Sequence, residues 1–183
     1  MDEPLPAYIG PYRVIRKLGE GGMGAVFEAV QQPIDRSVAV KTLHPSHARN
    51  ERIVARFLNE AKALGKLQHP SVVQVIDYGT TPEGIAYLAM EFLRGESLAR
   101  RLKTLNERRA LLPFQTTLQI GFQVADALAV AHANGIVHRE AYIKNTFCFH
   151  VTHKARQRRR QIPCSLTTTP HKHLPLIGAL HVI

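Results

Sequence analysis

Three short β-rich runs follow one another closely, with only turn residues between them. They read YRVIRKLG, AVFEAV and SVAVKTL; the glycine cluster GEGGMG separates the first two, and a turn at Pro33–Asp35 separates the last two. Runs of this kind, bounded by Gly, Pro and Asp, are typical of β-hairpins. The pattern predicts strands near 12–19, 24–31 and 36–43.

The next segment, NERIVARFLNEAKALGKLQHP, changes to a helical period. Its apolar residues recur at helical spacing, and His69–Pro70 ends the pattern, which predicts a helix at roughly 50–67. These apolar residues are Ile53, Phe57, Ala61 and Leu64. The runs SVVQVIDYG and GIAYLAMEF, joined through TTPE, then predict two further strands. The first half of the chain is therefore expected to form a five-stranded antiparallel sheet with one helix.

After Gly95 the sequence is mainly helical. ESLARRLKTLNERR and PFQTTLQIGFQVADALAVAHANG are both predicted helices, and the second ends at Asn134–Gly135. One of its faces carries Leu118, Phe122, Ala125 and Ala129. Beyond Asn145 neither period is sustained. The expected fold class is α+β: a small β lobe, an incomplete helical lobe and an irregular tail.

Charge is unevenly distributed along the chain. Residues 1–140 hold 17 Lys and Arg against 14 Asp and Glu, whereas 141–183 hold 7 against none. Cys148 and Cys164 lack CxxC spacing, so no disulfide framework or zinc ribbon is indicated. The N-terminus has no signal pattern, and the apolar stretch at 174–182 is too short to span a bilayer. A cytoplasmic location without a transmembrane segment is expected.

The glycine cluster places Gly19, Gly21 and Gly24 in GxGxxG spacing, which lets a backbone approach phosphates closely. A dinucleotide-binding fingerprint would need a helix after the third glycine. Here AVFEAV alternates as a strand does, so the glycines are expected in a hairpin. A glycine-rich turn without any ligand remains an alternative on this motif alone.

Two charged residues follow the hairpin in a suggestive order. Lys41 ends the strand motif VAVK, and Glu60 lies in the middle of the predicted helix. A lysine on a strand and a glutamate on a facing helix can form an ion pair that directs the ammonium at phosphate oxygens. Each residue taken singly is more often a solvated surface residue, but the two in this order favour a phosphate site.

Together these motifs resemble the N-terminal part of a bacterial, eukaryotic-like Ser/Thr protein kinase of the Hanks type. The matching pieces are LGEGGMGAVFEA, VAVK, RFLNEAKALGKLQHPSVVQVIDYG, YLAMEFLRGESL and HANGIVHR. The resemblance implies an N-terminal extension at 1–11 and a small lobe at 12–93. It further implies a partial large lobe at 94–145, which ends in the catalytic loop, and leaves a basic tail at 146–183.

The resemblance also implies a ligand, ATP, and a reaction, phosphoryl transfer to Ser or Thr of a protein substrate. Lys41, paired with Glu60, would hold the α- and β-phosphates beneath the glycine-rich loop. The adenine would be bounded by Leu18, Val26, Ala39 and the gatekeeper Met90, with the backbones of Glu91 and Leu93 bonding its edge.

The catalytic loop departs from the family pattern. His-Arg-Asp is His138-Arg139-Glu140 here, so Glu140 stands where the family has its aspartate base, and Tyr142 stands where it has a lysine. Asn145 keeps the position of one Mg²⁺ ligand, but no carboxylate follows Glu140 to supply the Asp-Phe-Gly ligand. Mg²⁺ prefers carboxylate and phosphate oxygens as ligands, so an incomplete metal site and impaired catalysis are expected.

Three functions stay open: a Ser/Thr kinase, a nucleotide-binding pseudokinase or regulatory module, and a nonfunctional fragment produced by truncation or a frame change near residue 140. The run RQRRR at 156–160 could bind nucleic acid or anionic lipid, but short arginine runs are usually just solvated, so no nucleic acid partner is expected. The scattered tail histidines and cysteines are not expected to bind zinc, because no fold there would hold four ligands together.

Overall fold

The computed structural model describes residues 4–136, 146–148 and 177–180. Its main sheet has six antiparallel strands in the order β1-β2-β3-β4-β6-β5. The strands are β1 Tyr8–Ile9, β2 Tyr12–Gly21, β3 Gly24–Gln31, β4 Arg36–Leu43, β5 Val75–Thr80 and β6 Ala86–Glu91. All five predicted strands are present as β2 to β6, which confirms the small β lobe.

The sixth strand corrects the predicted strand number. β1 lies within the segment that was expected to be an extension, and it pairs Ile9 with Tyr12 of β2. Gly10 makes the turn between them at φ +55°, a conformation that glycine adopts without steric cost. Ile9 is buried against the sheet. Two residues are too few for an alternating pattern, so the sequence could not reveal this strand.

Two helices separate β4 from β5: the short α1, Pro45–Ala48, and α2, Glu51–Gly65. The side chain of Asn50 caps α2 by accepting hydrogen bonds from the backbone N–H groups of Arg52 and Ile53. The helix buries Phe57, Ala61 and Leu64 against the sheet. The predicted helix and its apolar face are therefore confirmed.

Strand register divides the sheet into two apolar faces. Ala39, Leu43, Leu88 and Met90 share the face that α2 covers. The opposite face carries Val38, Val40, Ala89 and other apolar residues. Because side chains alternate along a strand, a shift of one residue would exchange the two faces, so the buried pattern fixes the register.

A polar cluster lies on the face away from α2. Asp77 Oδ2 accepts hydrogen bonds from the hydroxyls of Tyr12 and Tyr87, at 3.1 and 3.2 Å. Burial, followed by the nearby charge of Asp77, raises the pKa of both tyrosines. Both hydroxyls therefore stay protonated near neutral pH and act as donors to the carboxylate, which ties β2, β5 and β6 together.

The second half contains α3, Leu98–Glu107, α4, Phe114–Ala133, and a small sheet of β7, β8 and β9. These strands are β7 Glu96–Ser97, β8 Thr146–Cys148 and β9 Ile177–Leu180. β8 and β9 lie within the tail that was predicted to be irregular, and the rest of that tail lies outside the described residues. Their pairing joins residues far apart in the sequence, such as Glu96 and Cys148, which short runs without a sustained period could not predict.

The predicted apolar face of α4 is exposed in the described part of the chain. Leu118 and Phe122 are 57% and 71% exposed, and Ala125 and Ala129 are exposed as well. The helix instead buries Thr116, Ile120, Ala127 and Ala131. No helix in the described part of the chain is both long and apolar enough to cross a membrane.

Candidate functional site

Strands β3, β4 and β6 bring four of the predicted binding residues onto one face of the sheet. Val26 lies opposite Lys41, and Ala39 lies opposite Met90. Directly opposed residues point to the same side of an antiparallel sheet. The side chains of these four residues therefore form one continuous surface on the side that α2 covers, which we call the cleft face.

The glycine-rich segment forms a hairpin at the edge of this surface. Gly19 and Gly21 lie in β2, Gly24 opens β3, and Gly21 pairs with Gly24. A strand, not a helix, follows the third glycine, so the hairpin prediction is confirmed. Space is open where a Cβ would lie on Gly19 or Gly21, whereas a Cβ on Gly24 would be 1.8 Å from Thr42 O. The first two glycines thus leave room for a ligand, and the third allows close strand packing.

Lys41 is the charged group of the cleft face. Its side chain is buried, with 9% of the residue exposed, and its Nζ lies 5.6 Å from the centroid of the Phe57 ring. Burial lowers the pKa of Lys41, and the charge of Glu60 opposes that shift in part. A desolvated ammonium is suited to contact an anion, because its Coulomb attraction is less screened than in water.

The expected ion pair between Lys41 and Glu60 is not formed in this structure. Within the described part of the chain, three Lys or Arg side chains lie within 4.0 Å of a carboxylate, and Lys41 is not among them. Lys41 instead faces the ring of Phe57, which lies three residues before Glu60 on α2. Glu60 lies on the same helix as Phe57, and its charge opposes in part the lowering of the Lys41 pKa by burial.

The end of β6 carries the predicted adenine-binding edge. Met90 is buried, while Glu91 and Leu93 are partly buried. The backbone N–H of Glu91 donates to Gln74 O at 3.0 Å, and Glu91 Oε1 accepts from Gln74 N at 2.8 Å. The N–H of Glu91 is therefore already used within the protein. Leu18, on β2, is 40% exposed.

Two of the predicted site residues, the catalytic-loop residue Glu140 and the metal residue Asn145, lie outside the described residues. Within the described residues, no group of three or more His, Cys, Asp or Glu side chains could hold a metal ion. The role of Glu140 and the Mg²⁺ site at Asn145 both stay predictions.

Two contacts near the site were not predicted from the sequence. Phe57 was identified only as an apolar position of α2, and its place beside Lys41 depends on how the helix docks. The His47 ring bonds the carbonyl of Gly22 at 3.0 Å. No sequence pattern signals this second contact, because it joins residues 25 positions apart.

Comparisons with known proteins agree on one family. Residues 12–154 match the model of the protein kinase domain. A protein of Clostridium perfringens named as a probable serine/threonine-protein kinase is 40% identical over 134 residues, which is 73% of this chain and 19% of that protein. Serine/threonine-protein kinase pkn3 of Myxococcus xanthus is 40% identical over 137 residues, 73% of this chain and 24% of that protein.

Solved structures give the same result. The kinase domain of Mycobacterium tuberculosis PknI superposes with a TM-score of 0.66 at 29% identity, covering 79% of this chain and 57% of that structure. The chain thus spans less than a third of the length of the curated relatives described above and somewhat over half of the solved kinase domain.

Proposed function

Because the chain belongs to the protein kinase family, we propose that it binds ATP on the cleft face, between the glycine-rich hairpin and the end of β6. The observation that carries this proposal is the register of β3, β4 and β6, which places Lys41 beside Val26 and next to the Ala39–Met90 pair. An apolar surface for a purine ring and a buried cation for phosphates thus lie side by side.

Each residue of the cleft face has a distinct role in the proposed binding of ATP. Val26, Ala39 and Met90 would contact the adenine with apolar surface, and the Glu91 carbonyl would accept a hydrogen bond from its amino group. Lys41 would contact the phosphates and would turn from Phe57 toward Glu60 as it does so. The open backbone at Gly19 and Gly21 would lie over the phosphates, since no Cβ blocks their approach.

We further propose that these 183 residues transfer phosphate to protein Ser or Thr poorly. Glu140 extends its carboxylate one methylene beyond an aspartate, and a misplacement of about 1 Å can cost on the order of 100-fold in rate. Tyr142 also replaces the lysine that the family has near the transferring phosphate. Mg²⁺ would neutralise the phosphates in the family reaction, with Asn145 as its predicted ligand here, and residues 141–183 contain no Asp or Glu.

We expect phosphoryl transfer several orders of magnitude slower than the roughly 1–100 per second of active kinases. The measurement is transfer of labelled phosphate from ATP to a generic basic protein and to the chain itself, followed by identification of the phosphorylated residue type. Glu140→Asp should raise the rate of transfer, since it restores the shorter carboxylate. Lys41→Met serves as the negative control. Transfer within the range of active kinases by the unaltered chain would refute the proposed impairment.

Binding without transfer would make this chain a nucleotide-binding regulatory module, and absence of both would indicate a polypeptide without either activity. A protein substrate and a cytoplasmic location belong to the same proposal. The protein substrate follows from the family reaction, which needs ATP and a protein hydroxyl. The location follows from the two cysteines, whose spacing indicates no disulfide framework and therefore suits a reducing compartment.

A further inference from the structure

The tip of the glycine-rich hairpin is bound from outside the sheet. Gly22 and Met23 lie between β2 and β3. The His47 ring bonds Gly22 O through Nε2 at 3.0 Å, and the backbone N–H of His44 donates to Met23 O at 3.0 Å. Both carbonyls of the turn are therefore held by residues 44–47, a segment we call the tip clamp.

The chemistry of the contact fixes which group donates. A carbonyl oxygen only accepts hydrogen bonds, so His47 must carry its proton on Nε2. The partly buried ring is also well positioned: it packs edge-on against His44, with centroids 6.3 Å apart. The His47 backbone donates to His44 O at 2.8 Å and accepts from Asn50 N at 3.0 Å. The donor is thus held by the start of α1 and by the residue that caps α2.

The clamp acts on the part of the hairpin that is otherwise least constrained. The base is packed tightly, because Gly24 lies against Thr42 O, but nothing lies within 4 Å of the Cβ positions of Gly21 and Gly22. In a trans peptide the C=O and N–H groups point in opposite directions. Holding Gly22 O toward His47 therefore points the Met23 N–H away from the clamp, where it is available to an anion.

We propose that His47 is a positioning residue for phosphate binding by the glycine-rich hairpin. This inference rests on the proposed ATP binding and deepens it. His47 does not touch the nucleotide; it acts through the Gly22–Met23 peptide, whose orientation it fixes before the ligand arrives. Loss of its side chain lowers affinity for the phosphates and leaves affinity for the nucleoside unchanged.

The test compares ATP with adenosine by calorimetric titration of the whole chain. His47→Ala is expected to weaken ATP binding about two- to tenfold, the range for one neutral hydrogen bond, and to leave adenosine binding as it was. His47→Gln offers a side-chain N–H and should restore part of the loss. Arg49→Ala is the matched control, because Arg49 is exposed in the adjoining turn and makes no side-chain hydrogen bond within the described residues.

Hydrogen exchange at residues 19–24 provides a second readout that needs no ligand. It should be faster in His47→Ala than in the unaltered chain and in Arg49→Ala. Equal losses for ATP and adenosine, or no change in either binding or exchange, would overturn the inference while the proposed function stands. If the unaltered chain bound neither ATP nor adenosine, the proposed function would fail first, and this role of His47 would fall with it.

Discussion

Replacing Lys41 with methionine is expected to weaken ATP binding about 10- to 100-fold. Lys41 would be the one buried cation of the cleft face that contacts the phosphates, and a hydrogen bond to a charged group contributes about 1.5–3 kcal/mol. Methionine keeps the unbranched apolar stem of lysine and can still pack on Phe57, so the cleft should keep its shape. Calorimetric titration with ATP measures the loss directly.

The same substitution is expected to stabilise the ligand-free protein near neutral pH. Burial lowers the folded-state pKa of Lys41 below its unfolded value, so folding a charged Lys41 carries a penalty. The penalty is fully present below the folded pKa and disappears as pH rises through the folded pKa toward the unfolded value of 10.5. The stability advantage of Lys41→Met should therefore shrink as pH rises, which unfolding at several pH values would show.

Lys62→Met is the matched control for ATP binding. Lys62 lies on α2, is exposed, and loses the same charge on substitution. It should leave ATP binding unchanged. Unchanged ATP affinity in Lys41→Met, or an equal loss in Lys62→Met, would contradict the assignment of Lys41 to the phosphates.

Gly24→Ala is expected to destabilise the protein by about 3 kcal/mol, at the upper end of typical overpacking costs. A Cβ at this position would lie 1.8 Å from Thr42 O and 2.9 Å from Thr42 C. Both atoms belong to the backbone of β4, so relief requires β3 and β4 to move apart. The melting temperature should fall by roughly 6–12 °C, as measured by thermal unfolding followed by circular dichroism.

Gly21→Ala separates this steric effect from the general cost of removing a glycine. Gly21 pairs with Gly24 across the hairpin, but nothing lies within 4 Å of its Cβ position. Its substitution should change the melting temperature little, and it should reduce ATP affinity if the phosphates approach this backbone. Equal melting temperatures for the two variants would mean that β3 and β4 are not packed as described.

Local sequence patterns predicted the regular elements well. Alternation and turn residues predicted β2, β3 and β4, and the 3.6-residue period predicted α2 with its buried Phe57. These signals lie within one element, so a single sequence is enough to detect them. β1 and β9 have two and four residues and depend on pairing partners elsewhere in the chain, so no such signal exists for them.

The site was predicted as a set of residues but not as a set of distances. Strand order and register placed Val26, Ala39, Lys41 and Met90 together, as the resemblance implied. The contact of Lys41 with Phe57 in place of Glu60 depends on the rotation and docking of α2, and the contact of His47 with Gly22 depends on the loop before it. Both are tertiary properties that spacing along a chain does not determine.

The exposed face of α4 shows that the sequence of a helix does not determine which of its faces is buried. The helix has apolar residues on more than one side, so the period identified a stripe through Leu118 and Phe122 without showing which stripe is buried. The structure buries Ile120, Ala127 and Ala131 instead. Burial depends on what the rest of the fold presents to the helix, and the helix sequence alone does not contain that information.

Thermal unfolding of the unaltered chain, with ATP alone and with ATP plus Mg²⁺, tests whether the cleft face binds ATP. A ligand that binds only the folded state stabilises it by about 2.7 kcal/mol at 100 times its Kd. ATP is expected to raise the melting temperature to a similar extent with and without Mg²⁺, because Lys41 and the hairpin backbone would supply the phosphate contacts. A cooperative transition unmoved by ATP in either condition would contradict ATP binding on the cleft face.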